Sequence, residues 1–226
     1  MQPFKLYSFI SEPAKSPFAY NYRYIMGETF LKNINFENLS SFILEKEKEV
    51  MQEYPSTKFI ETEISDGYTG LGKNSLTSRF SKYNLLKFDN EEIKKIKNQI
   101  KELHDKFLKT INIKHNFKIY IQCWANVMRK GEQIKPHIHD CSSHSYLGGH
   151  ICIKTNNTNT YYINPVNQIN EPVTFKSKNE VGKITFFQSY IPHYTDTYEG
   201  DEERITIAFD LFIQNKSNLS NIILLE

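Results

Sequence analysis

Two histidines close together, and a third further along the chain, have the spacing of a metal site on a β-scaffold. His137 and His139 stand two residues apart in a segment that begins at Gly131, and His193 follows a second β-like segment. Because side chains alternate between the faces of a strand, His137 and His139 should point the same way, and Asp140 the opposite way unless a bulge intervenes. Three imidazoles can occupy one face of an octahedral iron centre and leave the other positions open for reactants.

The residues alone leave the metal and one of its ligands open. Zinc would suit three histidines plus water. Iron(II) would suit them too, although its usual set is two histidines and one carboxylate. His139 stands where that carboxylate would be, and Asp140 is the alternative ligand. A simpler interpretation places each histidine in a surface turn or a satisfied core position, but it explains a single histidine better than the whole set.

A single arginine favours an anionic ligand near the metal. Arg204 stands eleven residues after His193 and opens the apolar run Arg-Ile-Thr-Ile-Ala-Phe-Asp. A guanidinium there could take a carboxylate in two parallel hydrogen bonds. A buried and unpaired charge would cost several kcal/mol, so a buried arginine implies an anion beside it. The alternative is a salt bridge at the rim with Glu202 or Glu203.

Composition indicates an ordinary folded protein without a strong attraction to polyanions. The chain has 226 residues, 39% of them hydrophobic, and a net charge of +2. That charge predicts no strong attraction to nucleic acid or anionic membranes. No apolar run approaches the roughly 20 residues that span a bilayer. Three cysteines without metal-type spacing are most simply reduced thiols, so we expect a cytoplasmic protein.

Two helices precede a series of strands. Apolar residues at helical spacing predict an amphipathic helix from Phe30 to about Tyr54 and another from about Asn90 to Lys109. Between them, the glycine-rich segment Asp66–Arg79 is a loop, either facing a substrate or forming a surface connection. Residues 1–28 are read as an extended arm with one strand. The predicted strands are Phe117–Asn126, Lys135–Asp140, Tyr146–Lys154, Thr160–Ile163, Val173–Phe175, Lys183–Phe187, Ile191–Thr197 and Arg204–Ile213.

Short strands separated by turn residues predict a mainly β fold of the sandwich or jelly-roll type, with the two helices covering one sheet. We expect a single domain over residues 1–226. Within it, residues 1–115 form the arm and helical support, 116–215 the β core, and 216–226 a tail. An edge strand of the sheet could pair two copies into a homodimer.

The region from about Tyr120 to Ile213 resembles the Fe(II)/2-oxoglutarate-dependent dioxygenases, and looks most like oxygenases found in phage and marine bacterial genomes. Those proteins carry HxD/E, a distant histidine, and Arg-x-Ser/Thr about ten residues later. Here the matches are His137-x-His139, His193 and Arg204-Ile-Thr206. Asn126 and Gly131, upstream of His137, resemble the Asn-x-Tyr-x-x-Gly run of the DNA-dealkylating branch, with Met128 in the tyrosine position.

The resemblance implies a double-stranded β-helix, cupin-like in architecture, and an oxygenase, in particular a hydroxylase. His137, His139 and His193 would hold Fe(II), with Asp140 as the alternative to His139. Arg204, Thr206 and Asn126 would hold 2-oxoglutarate. Dioxygen and a substrate that the sequence does not identify would complete the reaction, and ascorbate could support activity. A phage-encoded enzyme of this kind would work in the host cytoplasm.

Two further residues were assigned to the substrate side. His150 lies in a predicted strand whose alternate residues should line the mouth of the barrel. Of the pair Tyr161-Tyr162, one tyrosine should face inward by alternation, and Tyr162 is the candidate.

Two other functions compete with the oxygenase. A three-histidine cupin-type metalloenzyme, a dioxygenase or isomerase, would not use 2-oxoglutarate, and it would leave Arg204 without a purpose. A non-enzymatic viral jelly-roll binding module would carry these histidines incidentally and would bind no stoichiometric metal.

Overall fold

The computed structural model describes residues 2–19, 21–57, 64–139, 143–165, 174–215 and 219–225. Two helices and ten strands follow one another in these ranges. The helices are α1 (Phe36–Glu53) and α2 (Glu91–Thr110). The strands are β1 (Lys5–Ile10), β2 (Arg23–Phe30), β3 (Tyr120–Met128), β4 (Ser145–Lys154), β5 (Asn159–Ile163), β6 (Thr174–Lys178), β7 (Lys183–Gln188), β8 (His193–Thr195), β9 (Arg204–Phe212) and β10 (Ile223–Leu224).

The strands form two antiparallel sheets. The major sheet has seven strands in the order β1-β2-β7-β4-β9-β3-β10, and the minor sheet has three in the order β6-β5-β8. This arrangement confirms the predicted mainly β, double-stranded β-helix fold with two helices packed on one sheet. The prediction that all 226 residues form one domain, and the prediction of a homodimer, stay predictions.

The central strands separate two environments by simple alternation. In β3, Ile121, Cys123 and Ala125 belong to the main hydrophobic core, together with buried residues of both helices. The intervening residues of β3, Gln122 and Trp124 among them, line a cavity on the opposite face. This period of two is the one expected of a sheet with one face covered by helices. The helices therefore support the outer face of the major sheet, and the inner face holds the site.

Both helices begin at an asparagine cap. The Asn35 side chain accepts a hydrogen bond from the backbone N–H of Asn38, and the Asn90 side chain accepts from Glu92 and Ile93. Asparagine is among the preferred capping residues because its oxygen satisfies an otherwise unpaired helix donor. The predicted start of α1 at Phe30 was wrong, because Phe30 ends β2 and the cap lies five residues later.

The N-terminal arm is more ordered than predicted. Instead of one strand laid on the body, β1 and β2 extend the major sheet, with β2 paired to β7. Most of β2 is buried. Ile25 packs in the main core with residues of α2, whereas Tyr24 and Met26 pack in a second apolar cluster. Gly27 makes the approach of α2 feasible, since a Cβ there would lie 2.6 Å from the Phe107 ring. Because β2 is buried on both faces and has apolar residues at the successive positions Tyr24, Ile25 and Met26, it lacks the alternation that identifies a strand in sequence.

The segment that carries the paired histidines is extended but is not a regular strand. The sequence predicted a strand over Lys135–Asp140, whereas the structure has an isolated bridge between His137 and His193. Lys135 donates its backbone N–H to Thr69, and His139 donates to Ser189. The segment thus lies between residues 189–195 on one side and Thr69 on the other, and its pairing with residues 189–195 is limited to scattered hydrogen bonds and the single bridge. Asp140 itself lies outside the described residues.

Among the residues described, no helix combines the length and the apolar character needed to cross a membrane. Cys123 and Cys152 are buried thiols without a disulfide, while Cys141 lies outside the described residues.

Candidate metal centre

His137, His139 and His193 meet on the wall of the cavity. Each offers one ring nitrogen within 4.8 Å of those offered by the other two. The ring centroids of His137 and His193 lie 4.3 Å apart, and that of His139 lies 5.0 Å from His193. The two-residue spacing and the distant third histidine therefore produce one cluster, as the sequence predicted.

Backbone pairing brings the cluster together. His137 and His193 exchange backbone hydrogen bonds of 3.1 and 3.0 Å, which places their side chains next to each other. His139 lies two residues after His137 in the extended segment, and its ring reaches the same cluster next to Gly148. A Cβ on Gly148 would lie only 2.7 Å from His139 Nδ1, so this position of β4 must be glycine for the ring to lie where it does.

Each ring is oriented by an oxygen acceptor at Nδ1. His137 Nδ1 lies 2.9 Å from the Lys135 carbonyl, His139 Nδ1 2.5 Å from Asp210 Oδ1, and His193 Nδ1 3.1 Å from the Ile191 carbonyl. A carbonyl or carboxylate oxygen can only accept, so Nδ1 carries the proton in the neutral rings and the lone pair is on Nε2. Metal-binding histidines are held by this kind of second hydrogen bond. The donor set therefore fits a first-row metal bound through three Nε2 atoms.

Burial also keeps two of the rings neutral. Loss of hydration, followed by the neighbouring His139, lowers the pKa of His137 to about 4. Burial and the other histidines lower the pKa of His193 well below its usual value. Near neutral pH both imidazoles are unprotonated, which is the form that binds a metal.

Asp210 is a site residue that the sequence reasoning missed. It is buried on β9, faces the cavity, and contacts His139 at 2.5 Å. The signal was present in the sequence, because Asp210 lies on the same strand face as Arg204 and Thr206 by alternation. Asp210 thus places a carboxylate in direct contact with one of the three candidate metal ligands, His139.

Asp140, the predicted alternative to His139, cannot be located because it lies outside the described residues. A second set of nearby donor atoms, His104, Asp105 and His115, lies away from the cavity. There Asp105 lies 2.9 Å from His104 Nδ1, and Tyr146 lies 2.6 Å from His104 Nε2, so ordinary hydrogen bonds account for that set.

Arg204 is buried and lines the cavity. Its Nε donates to Thr158 Oγ1 at 3.2 Å, and its Nη1 contacts Met128 Sδ at 3.0 Å. Within the described ranges, no carboxylate forms an ion pair with it. The alternative salt bridge with Glu202 or Glu203 is therefore wrong, since both of those side chains pair with Lys154 instead.

Asn126 and Thr206 are two further polar side chains on the cavity wall near Arg204. Asn126 on β3 is directly opposite Thr206 on β9 in the strand register. Thr77, in a short 3₁₀ turn over Thr77–Arg79, donates its hydroxyl to Asn126 Oδ1 at 2.8 Å. Because this bond holds the oxygen of the Asn126 amide, its N–H groups can donate to a ligand in the cavity.

Of the two residues predicted on the substrate side, His150 lies on the cavity wall and Tyr162 does not. His150 lines the cavity, and burial lowers its pKa to about 3, so it is neutral. Tyr162 was predicted on the substrate side, but it is fully buried outside the cavity wall. Its ring centroid lies 5.8 Å from that of His193, and its hydroxyl lies 3.4 Å from the His150 ring nitrogens. By alternation along β5, the Tyr162 ring points into the space between the two sheets, and packed apolar side chains fill that space.

The glycine-rich segment Asp66–Arg79 forms part of the cavity wall. Asp66, Tyr68 and Thr77 line the cavity, and Thr69 accepts the backbone hydrogen bond from Lys135. Gly70 has a φ of +82°, and a Cβ there would meet the Lys135 side chain. Of the two interpretations of this loop, the structure therefore favours the one that places it at the site.

A match to one known family covers the metal cluster and the strands around it. Residues 122–210 match the family described as "Putative 2OG-Fe(II) oxygenase". This match confirms the resemblance predicted from the histidine and arginine spacing. No curated protein has a significantly similar sequence.

The solved structures that this chain resembles are distant in sequence. AviO1 from Streptomyces viridochromogenes Tue57 has a TM-score of 0.51 and 9% identity, covering 83% of this chain and 89% of that one. A 2OG-Fe(II) oxygenase family oxidoreductase from Burkholderia pseudomallei has a TM-score of 0.43 and 17% identity, with 57% of this chain covered. The alignment spans 61% of the Burkholderia protein. A Pseudomonas putida prolyl-4-hydroxylase has a TM-score of 0.43 and 10% identity, covering 56% and 68%.

Proposed function

We propose, from the premise that residues 122–210 are a 2OG-Fe(II) oxygenase domain, that this protein is an Fe(II)- and 2-oxoglutarate-dependent oxygenase and that it hydroxylates its substrate. The observation that carries the proposal is one cavity of about 560 Å³ that contains both the three-histidine cluster and the buried Arg204. A metal alone would not require the arginine, and an anion alone would not require the histidines.

His137, His139 and His193 would hold the iron through Nε2. Three neutral imidazoles leave the full double charge on the metal, whereas the usual two-histidine, one-carboxylate set reduces it. Asp210 offsets this difference, because its carboxylate accepts from His139 Nδ1 and makes that imidazole a stronger donor. The negative charge that a carboxylate ligand usually brings to the metal is thus supplied by Asp210, which is hydrogen-bonded to the ligand His139.

Arg204, Thr206 and Asn126 would hold 2-oxoglutarate. The guanidinium of Arg204 can pair with the distal carboxylate, and the other two side chains can donate hydrogen bonds. Burial of Arg204 lowers its pKa, so an anion beside it compensates for lost hydration.

The spacing along β9 suits such a diacid. Trp124 lies opposite Ala208 in the register, and its ring centroid lies 5.7 Å from that of His139, so the metal cluster is near the level of Ala208. Ala208 lies four positions after Arg204 on β9, which is a distance of about 13 Å at the usual strand rise. An arginine side chain and a five-carbon diacid, roughly 5 Å long at about 1.5 Å per C–C bond, can bridge this gap.

When bound, iron and 2-oxoglutarate supply the oxidation of a substrate C–H bond by dioxygen, with release of succinate and carbon dioxide. The protein contributes position and a dry environment. His139 is fixed by Asp210, and Asn126 is fixed by Thr77, so neither side chain needs to rearrange when ligands bind. His150, which is buried and neutral, lines the same cavity.

Anaerobic titration tests the proposal. Addition of Fe(II) and 2-oxoglutarate should give a visible metal-to-ligand charge-transfer band that needs both components. His193→Ala should remove the band and the metal, whereas His144→Ala, a histidine outside the cavity wall, should leave both. Iron binding without the band would favour the cupin-type enzyme, and absence of metal binding would favour the binding module.

The product identifies the reaction. Succinate formed in step with an oxygen atom added to the substrate would establish hydroxylation. Succinate formed with a substrate that gains no oxygen atom would assign a different oxidation to the same site.

A further inference from the structure

The metal cluster divides the cavity into two halves of opposite character. In the β3–β9 register, Asn126 faces Thr206 on one side of the cluster, and Gln122 faces Asp210 on the other. The inner half, toward Arg204, is polar and is the half assigned above to 2-oxoglutarate. The outer half must therefore receive the substrate, because the inner half is filled by the cosubstrate.

The outer half is lined mainly by hydrocarbon. Its apolar side chains come from four separate segments of the chain, and they are Phe80, Trp124, Ala208, Phe212, Leu219 and Ile222. The Phe80 and Trp124 ring centroids lie 5.6 Å apart, so the two rings form one continuous aromatic wall. Leu219 leaves 49% of its surface exposed at the mouth. An apolar concavity with a few polar groups at its base is the usual form of a small-molecule site.

No charged side chain in the outer half is available to a ligand within the described residues. Asp210 is engaged by His139. Both carboxylate oxygens of Asp66 accept backbone hydrogen bonds, from Tyr68 and from Gly72. The cation on the cavity wall, Arg204, belongs to the inner half. Among these side chains, a phosphate or a carboxylate placed in the outer half would find no free counter-charge.

We infer that the substrate places an uncharged aromatic or branched hydrocarbon group in the outer half, against Trp124. This inference rests on the proposed function, because it takes the inner half as the 2-oxoglutarate site. The total cavity of about 560 Å³ holds a five-carbon diacid together with a group the size of one or two rings. Trp124 acts as a positioning residue, since its ring lies beside His139 and brings the bound group to the metal.

The single tryptophan of the chain supplies the probe. Trp124 is the only tryptophan in the sequence, so its fluorescence reports on the outer half alone. The full-length protein, loaded with Zn(II) and 2-oxoglutarate, is titrated with benzyl alcohol, benzoate and benzylamine, which share one ring and differ in charge. Benzyl alcohol should bind saturably, and both ions at least about tenfold more weakly, because burying an unpaired charge is costly. Equal binding of either ion, or no saturable binding of benzyl alcohol, would overturn the inference.

A matched pair of variants locates the binding. Leu219→Asp, at the cavity mouth, should weaken benzyl alcohol binding at least about tenfold by placing a carboxylate beside the ring. Ile213→Asp is the control, because Ile213 is 38% exposed but does not line the cavity. Equal effects of the two changes would contradict the inference.

Calorimetric titration of the same samples with 2-oxoglutarate separates the two proposals. Normal 2-oxoglutarate binding without benzyl alcohol binding overturns the substrate inference alone. Loss of 2-oxoglutarate binding in the unmodified protein overturns the proposed function.

Discussion

Asp210 Oδ1 lies 2.5 Å from His139 Nδ1, and this pair joins β9 of the major sheet to the segment that carries the paired histidines. Both side chains are almost fully buried. The contact fixes which nitrogen of His139 faces the cavity and places a carboxylate beside a cluster of imidazoles. It gives this three-histidine site a feature that the spacing of the histidines does not reveal.

Replacing this carboxylate should weaken metal binding. Asp210→Asn keeps the shape and an acceptor but removes the charge, and we expect Fe(II) affinity to fall about tenfold or more, as is typical for partners of metal-binding histidines. Competition with a chromogenic chelator measures the change. Asp201→Asn is the control, because Asp201 is exposed and pairs with Lys130. Unchanged affinity in Asp210→Asn would mean that the pair only orients the ring.

Arg204→Lys should separate cosubstrate binding from metal binding. Lysine keeps the charge but cannot form two parallel hydrogen bonds with a carboxylate. We expect the apparent KM for 2-oxoglutarate to rise about 30-fold or more, equivalent to roughly 2 kcal/mol lost from a buried charged hydrogen bond. Initial rates of succinate release give this value, and Fe(II) affinity should change little.

Arg129→Lys is the control for that change, because Arg129 pairs with Glu47 on the surface. An equal loss of iron and 2-oxoglutarate affinity in Arg204→Lys would assign Arg204 a structural role.

Two adjacent glycines of β4 should respond differently to the same substitution. In Gly148→Ala the new methyl group would meet His139 and Phe187, so the metal affinity should fall because His139 must move. In Gly149→Ala the methyl group would meet Phe209 and the Thr185 carbonyl, in the helix-covered core. That change should cost about 1–3 kcal/mol of stability, the usual range for overpacking. Denaturant unfolding and metal titration of both variants distinguish the effects, and the same response in both would contradict the assignment.

The hydrogen bond from Thr77 to Asn126 should matter for 2-oxoglutarate and not for iron. Thr77→Val keeps the shape and removes the donor, which leaves the buried Asn126 oxygen unsatisfied at a cost of about 1–3 kcal/mol. We expect a several-fold rise in the KM for 2-oxoglutarate with unchanged Fe(II) affinity. Thr77→Ser restores the hydroxyl and should restore the KM. Failure of serine to rescue would point to packing by the threonine methyl group.

The sequence by itself determined the elements and the chemistry. The two helices were visible because their apolar residues recur with the helical period. The central strands were visible because their residues alternate. His137, His139, His193 and Arg204 were visible because their types and spacing suit a metal and an anion. These are local properties, and each can be read within a few residues of the chain.

Only the tertiary structure decided how distant segments meet. It placed β1 and β2 in the major sheet, since burial on both faces removes the alternation that would have revealed β2. It brought Asp210 to His139 across 71 residues and moved Tyr162 behind His193, out of the cavity. It also set Asp66–Arg79 against the histidine segment. Which strand face meets which loop depends on register and on long-range pairing, and these contacts are fixed only when the sheets close around the cavity.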